Sequence, residues 1–464
     1  MPAVTEASLL TWCRTLLGAE PGVKKLPLQD YLKAIPKLDS LGDLPAGTAV
    51  LVRGDVDAKP GEKVGEGDVR LRSMVETLEF GRAKGWKQII FGHKGRKPEE
   101  SLNKVAKRLG ELLGCEVPLI TDWLDEATMT IKPHVAEAIA AAAPGSVLVL
   151  ENTRQYKIER VLWDAKAEDL GKVVPNLVKL ANEFASKVAK VYVNEALSAG
   201  SLDASSTVVP AAMDRVALGK SISAEFEGPM MQCVKAQLVV FSGIKIDKLD
   251  DLEAMIQRGG IKRVFSAGSL AMALKKASYL LQGTDFCLGV TEDPAHADKP
   301  YYIPPARIEQ AKRMYESGVA QGIEFVLPED FVLADGSEKL TLEPGDQQFD
   351  IGSKTIELFG KKVDEFIAYA KASPTPVVAF HNGVFGMFED PRFERGTKTF
   401  ISQLKRMKDG GVEVYVGGGE GGTALEKYGQ PDWVTHCFTA GGTVLNALGS
   451  EPIPYLVALK LATK

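Results

Sequence analysis

Residues 49–58 read AVLVRGDVDA: an apolar run that stops abruptly in Arg53, Gly54 and Asp55. The same plan recurs in QIIFGHKGR (88–96), VLVLENTR (147–154) and VYVNEALS (191–198). Farther along it returns in QLVVFSGIKIDK (237–248), RVFSAGS (263–269), VVAFHNGVFGMFE (377–389) and VEVYVGGGEGG (412–422). The runs are continuously apolar and rich in Val and Ile, not alternating. That pattern suits strands covered by helices on both faces, as in parallel sheets. In open α/β sheets ligands bind beyond the carboxyl ends of the strands, so the turn residues outline a site. The first half puts Arg53, Asp55, His93, Arg96 and Arg154 at such ends, and the second half puts Gly243, Lys245, Asn382, Glu389 and Glu420 there. A basic edge and a glycine-rich, carboxylate-bearing edge point to two anionic ligands, one per domain, with a metal ion between them.

A chain of 464 residues exceeds what one core holds, so two domains are expected. Apolar content of 45%, charged content of 25% and a formal net charge of -5 describe an ordinary globular chain and give no support for nucleic-acid binding. The basic strand ends are a local site on a mildly acidic protein, which fits a small anionic ligand. Cys13, Cys115, Cys233, Cys287 and Cys437 are odd in number, scattered and without a CxxC pair. A disulfide framework or a zinc site is therefore not expected, and a cytoplasmic or other reducing compartment is. No apolar stretch is long enough to span a membrane.

The organisation expected is an N-terminal extension over 1–24, a first αβ domain over 25–212, a hinge connector over 213–234, a second αβ domain over 235–440 and a tail over 441–464 that packs back on the first domain. The extension carries Leu9, Leu10, Trp12, Cys13, Leu16 and Leu17 on one helix face, with Glu6 and Glu20, and ends at Pro21-Gly22. That face must be covered by the chain's own surface or by a protein partner. The stretch from Val208 to Cys233 shows no obvious strand, and 338–359 reads as a loop with one short strand. No HExxH, GxSxG or GxxxxGK[ST] pattern offers a competing chemistry.

These turns, in this order, resemble the phosphoglycerate kinase family over roughly residues 45–460. VRGDVDAKPG resembles its R-x-D-x-N-V-P motif, GHKGRKP its S-H-L-G-R-P, LENTR its L-E-N-L-R-F, and VNEALSAGSLDASS its V-N-D-A-F-G-x-A-H-R-A-H-x-S. SGIKIDK, HNGVFGMFEDPRFERGTK, YVGGGEGGTAL and FTAGGTVLNALGSEPIP resemble the second-half motifs. The resemblance implies two doubly wound parallel-sheet domains joined by a hinge. It implies reversible phosphoryl transfer between 1,3-bisphosphoglycerate and magnesium-bound ADP, a glycolytic step that hinge closure would shield from water. By it, Asp55, Asp57, Arg70, His93, Arg96 and Arg154 bind the acid substrate. Gly243, Lys245, Lys248, Asn382, Glu389, Gly417, Gly418, Gly419 and Glu420 bind ATP or ADP, and Glu420 faces the magnesium. Arg70, Lys245, Gly441 and Gly442 would act on the moving phosphoryl group.

The chain departs from the family's pattern mainly on the acid side. Asp57 replaces an Asn, and Ser201-Leu202-Asp203-Ala204 replaces H-R-A-H, so Leu202 stands at the arginine position. Gly421 replaces a Thr, Glu420 an Asp, His381 a Trp, Val384 a Pro and Ala440 a Gly. Two other readings follow: a catalytically impaired relative serving as a structural or assembly subunit, and transfer to a different acid.

Overall fold

In the computed structural model the described residues are 3–19, 27–449 and 452–463; Glu20, the Pro21-Gly22 break and the boundary at 24/25 lie outside them. The chain forms two compact units, one of residues up to Gly228 together with 451–464, the other of Pro229–Ser450. Each unit is built on one six-stranded sheet whose every pairing is parallel.

In the first unit the strands are β1 (Ala49–Gly54), β2 (Lys87–Phe91), β3 (Leu119–Ile120), β4 (Val147–Leu150), β5 (Val191–Glu195) and β6 (Arg215–Leu218), in the order β3-β4-β2-β1-β5-β6. The chain builds one way from β1 and then returns to its other side, so the strand order reverses at β1. β2, β4 and β5 are buried or nearly so along their whole length, the physical meaning of their unbroken apolar runs. Val50, Val52, Ile90, Val147, Val149 and Val193 form the core with Leu71, Met74 and Leu78 of helix α2 (Val69–Ala83).

The second unit repeats the plan with β7 (Leu238–Gly243), β8 (Arg263–Ala267), β9 (Glu324–Val326), β10 (Val377–Asn382), β11 (Val412–Gly417) and β12 (His436–Cys437), ordered β9-β8-β7-β10-β11-β12. Its reversal lies between β7 and β10. Phe265, Phe359, Phe385 and Phe400 pack edge-on or tilted in the core below.

Two sequence expectations are corrected. The stretch 208–233 does contain a strand, β6, which pairs with β5 at the sheet edge and belongs to the first unit. Four residues are too few for a periodic signal. The segment 338–359 holds two strands, Glu338–Lys339 and Gln348–Ile351, which pair antiparallel with Phe331–Leu333. From Ser353 it becomes a helix to Ala372, with Thr355, Phe359, Val363 and Phe366 buried at helical spacing.

The N-terminal helix α1 (Glu6–Leu16) starts with a reciprocal Thr5–Ser8 capping box and buries Leu9, Cys13 and Leu16. It packs on α4 (Leu170–Lys187) and on the C-terminal helix (Pro454–Ala462), and Trp12 Nε1 donates to the Thr207 carbonyl at 2.8 Å. Its apolar face is thus covered inside the first unit, which leaves the protein-partner reading without the exposed face that motivated it. (α3 is Asn103–Leu113.)

Candidate active site

The first unit gathers its basic residues at the carboxyl ends of β1, β2 and β4. Arg53 ends inside the unit, 0% exposed, and its donors are all engaged: Nε to Ser205 Oγ at 2.9 Å, Nη1 to the Gly54 carbonyl at 2.9 Å, and Nη2 beside His93 Nδ1 at 2.7 Å. His93, just past β2, is buried. Burial first, then the Arg53 and Arg154 charges, push its pKa below the usual imidazole value despite Asp203, so the ring is neutral at neutral pH. Arg154, past β4, gives Nη1 to the Gly95 carbonyl at 2.6 Å and lies over the Trp163 ring at 5.0 Å.

At the middle of this cluster is Asp203, from the loop after β5. Its Oδ2 lies 3.5 Å from Arg53 Nη2, 3.2 Å from His93 Nδ1 and 3.4 Å from Arg154 Nη2, and its Oδ1 accepts from Trp163 Nε1 at 2.8 Å. Burial works against its charge, but the contacts to His93, Arg154 and Arg53 win and hold its pKa down to about 2. Glu159 stands beside it, accepting from Ser205 Oγ and the Ser205 amide. Burial, then the Asp203 charge, push Glu159 up to about 7.

Arg70 stands apart from the strand ends. It lies on the first turn of α2, where buried Asp68, held by Arg72, Arg108 and the Gly65 amide, fixes the preceding loop. Its guanidinium donates to the Asp57 carbonyl at 2.8 Å and to Asp57 Oδ2 at 2.9 Å, with Asp55 Oδ1 3.8 Å from Nε. Asp57 Oδ1 accepts from the Gly95 amide; burial opposes its ionisation, but that amide and Arg70 keep its pKa below the ordinary value. Asp55 takes the Ser198 hydroxyl at 2.6 Å. Asp57 therefore serves as the partner of Arg70. Arg96 is exposed on the loop past β2 and stands apart from the buried cluster. Leu202 is half-buried next to Asp203.

In the second unit a cleft of about 230 Å³ opens at the strand reversal, lined among others by Gly243, Gly268, Phe385, Gly386, Glu389 and Glu420. Next to Glu420 in the chain, the glycine turn packs backbone against backbone. Gly418 has φ +96°, and a Cβ on Gly441 would fall 2.3 Å from the Gly418 Cα, so the two glycine turns touch in a way no side chain permits. Likewise Gly268, φ +67°, brings its Cα close to the Gly243 carbonyl. Gly419 opens the helix Gly419–Tyr428 and Gly441 opens Gly441–Leu448, which puts two helix N-termini with their free amides at this edge. Asn382 braces the turn, its Nδ2 donating to the Gly417 carbonyl at 2.7 Å.

Lys248 reaches into this edge from the start of Lys248–Arg258. Its Nζ donates to the Ser242 carbonyl at 2.9 Å and lies 3.9 Å from Glu420 Oε2. Burial first, then Lys245, lower its pKa, against Glu420. Lys245, Glu389 and Glu420 are exposed. His381 stacks on Phe400 at 5.8 Å in the core, and burial lowers its pKa to about 4. Among the described residues no group of three or more His, Cys, Asp or Glu side chains forms a metal cage.

Sequence reasoning missed Asp203, Glu159, Ser205 and Trp163. Asp203 stands within VNEALSAGSLDASS, and the signal was a carboxylate inserted into a stretch otherwise read only for lost basic residues.

The profile of the family described as phosphoglycerate kinase matches residues 42–451. A cytosolic phosphoglycerate kinase of Nicotiana tabacum is 28% identical over 430 residues, covering 89% of this chain and 95% of that one. That of Saccharomyces cerevisiae is 29% identical over 385 residues, covering 79% and 84%. The solved phosphoglycerate kinase of Pyrococcus horikoshii superposes with a TM-score of 0.68 at 23% identity, covering 92% of this chain and 99% of that one, a likeness of fold.

Proposed function

The chain belongs to the phosphoglycerate kinase family, and on that premise we propose that it transfers a phosphoryl group reversibly between 1,3-bisphosphoglycerate and magnesium-bound ADP. The observation that supports this reading is the strand-end edge of the second unit, where Glu420 lines the cleft and lies 3.9 Å from Lys248 Nζ, and where the helices Gly419–Tyr428 and Gly441–Leu448 begin. Free amides at helix starts and a recessed ammonium are what nucleotide phosphates need. Glu389, at the cleft's rim, suits a ribose hydroxyl. Asn382 acts by holding the Gly417–Gly419 turn in place.

Magnesium keeps several waters and uses one or two carboxylates together with substrate phosphates, so a lone Glu420 beside the glycine turns fits it without a protein cage. Bound there, the ion would neutralise phosphate charge. On the acid side Arg70, held by Asp57, would meet the transferring group, and Arg96 and Arg154 would meet the acid. Lys245, with Gly441 and Gly442, would complete the electrostatic cradle; catalysis of this kind rests on positioning and charge neutralisation. Five scattered free cysteines support a reducing compartment for this activity.

A coupled assay of the purified protein with 3-phosphoglycerate and magnesium–ATP tests the reading, with nucleotide binding measured in parallel by calorimetry. Turnover above the enzyme-free rate is expected. Nucleotide binding without turnover would overturn it in favour of a non-catalytic subunit.

A further inference from the structure

The acid-side cluster already contains an anion. Arg53, His93 and Arg154 come from the ends of three neighbouring strands, the edge at which this fold type receives ligands. All three converge within 3.5 Å of one oxygen, Asp203 Oδ2, as they would on an oxygen of a bound anion. The charge bookkeeping is close: two guanidinium groups face Asp203 and a Glu159 poised near neutrality, with His93 uncharged. A phosphomonoester would bring nearly two more negative charges into this cluster, with further cations only outside it, such as Arg160, whose guanidinium lies over the Trp163 ring at 5.6 Å. Asp203 rides on a loop without regular structure and its second oxygen is held by Trp163, an indole 40% exposed, so the cluster lies one side chain from the surface.

We propose that Asp203 is a built-in counter-anion that occupies the phosphate-binding position of the acid site, so that this site favours singly charged carboxylates and admits a phosphorylated acid only by displacing Asp203. The inference rests on the acid-site reading above, but it concerns selectivity, not turnover. A buried ion pair of purely structural purpose would give no such selectivity.

The test is calorimetric titration of wild type and Asp203→Asn with 3-phosphoglycerate, with glycerate, and with magnesium–ADP as the control for folding. One charge-assisted contact regained by phosphate predicts a gain of about 10- to 100-fold for 3-phosphoglycerate in the variant. Glycerate and magnesium–ADP should change by less than about threefold on the same scale. Equal or weaker 3-phosphoglycerate binding by a variant that still binds magnesium–ADP would overturn the proposal. Should the variant fail to fold, wild type supplies a second readout: displacing Asp203 breaks its bond to Trp163. Tryptophan emission should then change with 3-phosphoglycerate at millimolar concentration in wild type and not in Trp163→Phe. Micromolar binding with unchanged emission would sink the idea. Loss of kinase activity with a positive result here would defeat the functional reading and leave this one standing.

Discussion

The two units share a sheet plan but treat their ligand edges in opposite ways. In the first, charge is concentrated, buried and largely paired off internally: Arg53, Arg154 and His93 gather on Asp203, though Arg154 Nε is left without a hydrogen-bond partner, and Arg70 rests on Asp57. In the second, the edge is mostly backbone, open and sparsely charged, with Lys248 and Glu420 too far apart for a tight pair. A site made of main chain keeps its shape when side chains change, because its geometry depends on the absence of Cβ atoms. A site made of side-chain charge can be retuned by one substitution, as Asp203 shows.

The sharpest way to break this comparison is Arg70→Ala. Turnover with 3-phosphoglycerate and magnesium–ATP should fall roughly 10³-fold, as for other arginines that stabilise phosphoryl transfer, while magnesium–ADP affinity holds. Unchanged turnover in steady-state kinetics would remove Arg70 from the reaction. Next in size is Gly441→Ala. Forcing a Cβ against the Gly418 backbone should cost about 1–3 kcal/mol at the cleft, seen by calorimetry as weaker magnesium–ADP binding with acid binding intact. Equal losses on both ligands would mean the edges are not independent.

The buried acids of the first unit give a pH test. Burial raises the Glu195 pKa from 4.5 to about 8, against the Ser221 amide that favours its charge. The fold therefore prefers the neutral acid: the contribution is complete below pH 4.5 and is lost as pH rises through 8. Glu195→Gln should melt higher than wild type at pH 9, by an amount on the order of a few kcal/mol in stability, and no higher at pH 4. A constant offset across that range in melting curves would contradict the assignment. The smallest effect separates the two lysines. Lys248→Met should weaken magnesium–ADP about tenfold, whereas exposed Lys245→Met should alter binding by less than about threefold on the same scale, its loss showing in turnover. The reverse order would make Lys245 the main nucleotide contact.

Eight of the twelve strands in the two sheets were readable because a strand buried on both faces writes its length in Val, Ile and Leu, as in 147–150 and 238–243, whereas β3, β9 and β12 are two or three residues long and carry no such run. β6 was not, since four residues at a sheet edge leave no pattern. Gly441 and Gly418 were legible as turn glycines, but their mutual contact is a tertiary fact. The pairing of Asp203 with arginines some fifty and more positions away in the chain has no local signature at all; a loop aspartate looks like any solvated turn residue until the sheet brings the strand ends together.

The C-terminal helix Pro454–Ala462 packs on α1, on 204–212 and on β6, and it buries Tyr455, Leu456 and Leu459 almost completely. The second unit is one continuous stretch, while the first is split around it. During synthesis, then, the first unit to begin is the last to finish. Domains fold as units while they emerge from the ribosome, so 229–450 can reach its native state as soon as it is out, whereas the earlier-made half must wait, with an apolar groove uncovered, for residues 454–462, which are made after the whole second unit. The first unit is in this way the late-maturing part of the molecule, and a ribosome stalled before residue 454 would release a finished second unit joined to an unfinished first one.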